Sequence, residues 1–107
     1  MTQTYSAVEP TLDEVKSSTG PLLLEFGTPW CGWCRAAQPE IAAALASFPD
    51  VRHVKVEDGP GRPLGRAFRV KLWPTLVLLR DGAEVGKLVR PPGRDAIGKL
   101  LERQQPA

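Results

Sequence analysis

The spacing of apolar and polar residues changes several times along this chain, and each change marks an element. Thr11-Leu12-Asp13-Glu14 has the form of a capping box, in which the Thr11 side chain accepts from a first-turn backbone N–H while Glu14 reaches back. Leu12 and Val15 then share one helical face, and Gly20-Pro21 ends this short first helix. The residues before it, near Tyr5–Val8, suit a short edge strand. Leu22-Leu23-Leu24-Glu25-Phe26 is a brief apolar run, as expected of a strand buried on both faces. Gly27-Thr28-Pro29 breaks it. An alanine-rich helix is predicted from about Cys31 to Ser47, kinked where Pro39 removes a backbone hydrogen bond.

Val51–Glu57 alternates apolar with polar residues and reads as a second core strand. A loop at Asp58–Pro63 leads into a short helix over Leu64–Val70. Thr75–Arg80 is strand-like, Asp81-Gly82 is a hairpin turn, and Glu84–Val89 returns antiparallel. Pro91-Pro92-Gly93 breaks the chain again. Arg94–Gln105 forms the last helix, with Ile97, Leu100 and Leu101 as its apolar stripe. Alternating helices and strands imply parallel pairing early in the chain, and the hairpin adds an antiparallel pair. An α/β fold with a central mixed sheet and helices on both faces follows.

Composition adds a few exclusions. A chain of 107 residues is long enough for one domain with its own core, taken as residues 1–107. No stretch approaches the ~20 apolar residues of a membrane span. The polar start carries no apolar segment of the secretory kind, and two cysteines make no disulfide framework, so a cytoplasmic protein is expected. Residues 1–58 hold four Lys/Arg against eight Asp/Glu, whereas residues 59–107 hold ten against four. With no dense basic run or aromatic-basic motif, this asymmetry reads as solvated faces rather than a nucleic-acid surface.

The chemistry concentrates in Trp30-Cys31-Gly32-Trp33-Cys34, which contains both cysteines and two of the three tryptophans. Thiols two residues apart meet within one helical turn. The ring they close is too small to be a useful staple, because crosslink stabilisation grows with loop length. Redox chemistry is the leading reading. Zinc is the rival, but a structural site needs four ligands and the chain offers Cys31, Cys34 and a lone His53. No metal and no cofactor are expected.

The chain resembles thioredoxin over nearly its whole length. Trp30-Cys31-Gly32-Trp33-Cys34 matches the family's W-C-x-x-C at the end of a core strand, and Pro39 matches the proline of the active-site helix. Trp73-Pro74-Thr75 matches the cis-proline tripeptide, and Arg80-Asp81-Gly82 the final hairpin. The departures are Gly32-Trp33 where the reductases carry Gly-Pro, Glu25 where the buried acid is typically Asp, Trp73 before the proline, and Arg90 or Pro91 where a small residue is common.

The resemblance implies a thioredoxin fold and a thiol–disulfide oxidoreductase acting on protein disulfides. An upstream dithiol reductase would supply electrons to a protein that works as a monomer, without nucleic acid or membrane. Cys31, at a helix N-terminus, would attack; Cys34 would resolve. Glu25 would lie beneath Cys34 and accept its proton, with a pKa raised by desolvation, unless it reaches solvent or pairs with Lys55. Trp30, Gly32, Trp33, Trp73 and Pro74 would face the substrate, against the plainer reading of the tryptophans as core. His53 reads as a half-buried strand residue. Arg35 either supports the Cys31 thiolate or faces solvent, and Arg90 is a candidate anion contact. Trp33 in place of proline predicts a couple more oxidising than thioredoxin's. The rival function is a thioredoxin-fold adaptor or chaperone that binds through a Trp-rich face without turnover.

Overall fold

The structure, a computed structural model, describes Tyr5 and residues 9–104. The edge strand expected near Tyr5–Val8 lies outside the described residues apart from Tyr5, which belongs to no strand. The capping box forms as the sequence predicts. Glu14 N–H donates to Thr11 Oγ1 and Thr11 N–H donates to Glu14 Oε1, each at 3.0 Å, and these bonds open helix α1 (Leu12–Lys16).

Strand β1 (Pro21–Gly27) is buried from Leu22 onward because a neighbour covers each edge and helices cover each face. It pairs in parallel with β2 (Arg52–Glu57) and antiparallel with β3 (Thr75–Arg80), and β3 pairs antiparallel with β4 (Ala83–Val89). The order across the sheet is β2-β1-β3-β4. Helix α2 (Gly32–Leu45) continues through Pro39, and α3 (Pro63–Ala67) starts with proline at its first turn, where no N–H is needed. Helix α4 (Arg94–Leu101) ends earlier than expected and tightens into a 3-10 turn over Glu102–Gln104.

Alternation along β1 divides the core in two. Leu23 joins Leu76 and Leu78 against Ile41 of α2 and Ile97 and Leu101 of α4. Leu22, Leu24 and Phe26 join Val56 and Val77 against Val15 of α1 and Leu64 and Phe68 on the side of α3. The sheet is therefore mixed and covered on both faces. By the same alternation Glu25 points to the α2 side, and the parallel register sets Lys55 opposite it and His53 opposite Leu23. A carboxylate thus enters the core on the face that carries the cysteine helix.

Candidate active site

The cysteine motif begins where β1 runs out. Gly27 ends the strand, three residues cross to α2, and Cys31 takes the N-cap position with extended backbone (φ −79°, ψ 120°). Its Sγ accepts the Cys34 backbone N–H at 3.2 Å, as serine or aspartate oxygens do at other helix starts. The free N–H groups and dipole of a 14-residue helix point at that sulfur, a setting for an atom that carries negative charge during exchange. Both cysteines are free thiols. Cys34 is fully buried, and Cys31 nearly so. Burial, followed by the hydrogen bond with Cys31, pushes the Cys34 thiol up to about 12. Gly27 makes the packing possible: a Cβ there would sit 2.6 Å from Cys34 Sγ and 2.8 Å from the Tyr5 hydroxyl oxygen.

Glu25 is 0% exposed, and three side chains from three other segments hold it. The Tyr5 hydroxyl donates to Oε2, Gln38 Nε2 donates to Oε2 at 2.8 Å, and His53 Nε2 lies 2.8 Å from Oε1. These contacts overturn the expected titration. Desolvation does press the carboxyl upward, but the hydrogen bonds from His53, Tyr5 and Gln38 outweigh it and hold Glu25 below the ordinary glutamate value. The alternative of a glutamate reaching solvent is excluded by its burial. Lys55, opposite Glu25 in register, donates to Gln38 Oε1 at 2.7 Å, and its ammonium lies 4.5 Å from the Tyr5 ring centroid. Burial, then the charge of Glu25, raises the Tyr5 phenol far above its usual value, so it stays protonated.

The tryptophans do not fill the core. Trp30 is 70% exposed and Trp33 61%, and Trp73 is half-buried. Trp30 meets Trp73 edge-on with ring centroids 5.6 Å apart, and Trp73 Nε1 donates to Asp58 Oδ2 at 2.8 Å. The Trp73–Pro74 peptide is cis, and Pro74 is buried at the start of β3. Arg90 adopts a left-handed backbone (φ 48°). Its Nε donates to the Trp73 carbonyl at 3.0 Å, and its guanidinium carbon lies 4.8 Å from the Trp33 ring centroid. Arg90 is thus already engaged with protein groups rather than held out toward an anion. Arg35 and Gly32 are exposed on the first turns of α2. Among the described residues no three His, Cys, Asp or Glu side chains converge as a metal site would require.

Residues 6–103 match the thioredoxin family profile. The chain belongs to the thioredoxin family. It is 35% identical over 89 residues to the thioredoxin of Chlamydia trachomatis, covering 82% of this chain and 86% of that protein. Among solved structures, reduced thioredoxin 2 from Pseudomonas aeruginosa superposes with a TM-score of 0.87 at 53% identity, over 97% of this chain and 96% of that one. Oxidised mitochondrial thioredoxin 3 from Saccharomyces cerevisiae gives 0.70 at 31% identity over 83% of each chain. As a thioredoxin-family member with both cysteines adjacent, the protein is a thiol–disulfide oxidoreductase, and its family acts on protein disulfides.

Three partners of the buried acid, Tyr5, Gln38 and His53, were missed in the sequence. His53 was legible in part. Alternation in Val51–Glu57 puts it on the face of Lys55, and parallel pairing with β1 brings that face beside Glu25. Tyr5 carried no such signal, because nothing local ties a residue outside the elements to a carboxylate 20 positions away. Among the described residues no helix is long and apolar enough to cross a membrane.

Proposed function

We propose that Cys31 attacks a disulfide of a protein substrate and Cys34 resolves the mixed disulfide, with Glu25 taking the Cys34 proton. The observation that supports this most is the 3.2 Å approach of Cys34 N–H to Cys31 Sγ at the head of α2, with Cys34 buried directly behind. Attack breaks the substrate S–S bond and joins Cys31 to one substrate sulfur. Cys34 then forms the Cys31–Cys34 bond, and the substrate leaves as two thiols carrying two electrons. An upstream dithiol reductase in the cytoplasm restores the pair. The protein works as a monomer folded as one domain.

Trp30, Trp33 and Trp73 form the contact surface, Gly32 adds no side chain over the nucleophile, and the backbone beside Pro74 pairs with an extended substrate. The exposure of two large apolar rings beside Cys31 supports this reading. Catalysed reduction of a protein disulfide, with dithiothreitol as the electron source, tests it. The wild type should turn over many equivalents, and Cys31→Ser should fall to the uncatalysed rate; equal rates for the two would refute the assignment.

Trp33 bears on the poise of the couple. It occupies the second helical position, where proline is tolerated and would stiffen the turn. Trp33→Pro is expected to make the pair more reducing by on the order of 30 mV, which is tenfold in the exchange equilibrium. Equilibration of both proteins in glutathione buffers measures the difference, and an unchanged potential counts against a role for Trp33.

A further inference from the structure

The Cys34 proton starts at a fully buried sulfur, and a carboxylate with 0% exposure is a dead end unless something carries the proton onward. We propose that Tyr5 and His53 form a proton path through Glu25, Tyr5 bringing the proton from Cys34 and His53 delivering it to solvent. The path rests on the reading of Glu25 as the group that takes this proton.

The atoms line up for it. The Tyr5 hydroxyl donates to Glu25 Oε2 and lies beside Cys34, since a single point over Gly27 is 2.6 Å from the Cys34 sulfur and 2.8 Å from the Tyr5 oxygen. The second carboxylate oxygen, Oε1, faces His53 Nε2 at 2.8 Å. The His53 side chain is 17% exposed on edge strand β2, so its ring spans from the buried carboxylate to water.

The other groups around the carboxylate cannot take this part. Gln38 of α2 donates to Oε2, but an amide neither gains nor loses a proton near neutrality. Lys55 of β2 donates to Gln38, and an ammonium has no lone pair with which to accept. Glu57, farther along the same face of β2, pairs with Arg62 at 2.9 Å. Cys31 faces Cys34 and is the sulfur being attacked.

The step balances as follows. Cys34 Sγ bonds to Cys31 Sγ, the Cys31–substrate bond breaks, and the substrate sulfur leaves with the electron pair. The Cys34 proton moves to the Tyr5 oxygen as Tyr5 passes its own proton to Glu25. The proton shifts from Oε2 to Oε1 within the carboxyl group. His53, its hydrogen moved to Nδ1 by exchange with water, takes it at Nε2 and releases the Nδ1 proton to water, which restores the Nε2–H that donates to the carboxylate. Tyr5 is again a phenol, Glu25 a carboxylate and His53 a neutral ring. The hydrogen bonds that keep Glu25 ionised make it a poor resting place for a proton.

Reaction with dithiobis(nitrobenzoate) resolves the two steps. The first coloured thiolate reports attack by Cys31, and the second, released in a concentration-independent phase, reports closure by Cys34. His53→Gln retains a donor toward Oε1 and Tyr5→Phe retains the ring. Each should slow only the second phase, by about tenfold, less than the hundredfold or more expected of the group that takes the proton itself. His53→Ala should be slow as well and recover when free imidazole is added. Glu25→Gln separates this path from the reading beneath it. A second phase unchanged in Glu25→Gln removes Glu25 itself. A phase slowed in Glu25→Gln but of wild-type speed in His53→Gln and Tyr5→Phe overturns the path alone. A slow His53→Ala that imidazole does not restore also overturns it.

Discussion

Cys34→Ser leaves a protein that attacks once and stops. Cys31 keeps its place at the helix N-terminus, and the serine backbone N–H still reaches its sulfur, so mixed disulfides form. Serine cannot close the ring, so steady-state reduction falls to the uncatalysed rate while Cys31-linked adducts accumulate with protein substrates. Non-reducing electrophoresis with mass spectrometry of the adducts reads both effects and identifies the substrates. Retained turnover, or adducts that survive in Cys31→Ser, would show that the roles of the two thiols are wrongly assigned. Serine is close in size to cysteine, so the fully buried site keeps its packing and the loss is chemical.

The second large effect belongs to Glu25→Gln. Removal of the carboxylate takes away the group proposed to receive the proton of a thiol that burial pushes to about 12. Closure by Cys34 is expected to slow by about a hundredfold, the scale of a lost general base. The same residue sets an acid limb in stability. Its folded pKa lies below the ordinary value of 4.5, so the folded state favours the ionised form. Its contribution is present above about pH 4.5 and is lost as pH falls through the lower folded value. Denaturant unfolding at pH 7 and pH 3 should show a larger loss for the wild type than for the glutamine variant. Parallel losses would mean that the network does not hold Glu25 ionised.

The contrast between Glu25 and its surroundings marks how far a sequence carries. The capping box at Thr11, the buried run of β1, the hairpin at Asp81-Gly82 and the cysteine pair at a helix start are local patterns, and each formed where its residues stand. Helix ends moved by a few residues. At α4 this is because a tightened last turn satisfies carbonyls as well as another α-helical turn would. The charge state of Glu25 was not local. Desolvation alone argued for a raised pKa. The sign turned on Tyr5, Gln38 and His53, which stand 20, 13 and 28 positions away and meet only in the fold. The exposure of Trp30 and Trp33 was expected from the family resemblance rather than from any local pattern, since apolar rings usually belong in cores.

Arg90 bears on how easily anything can enter. Its guanidinium already holds the Trp73 carbonyl and lies over Trp33. A peptide laid beside Pro74 as an added strand needs that carbonyl for its own backbone N–H. A carbonyl has two lone pairs, so on the proposed docking mode the guest would share this oxygen with Arg90 and settle beside its guanidinium. A fixed positive charge, rather than a shaped pocket, would then border the path by which disulfides reach Cys31.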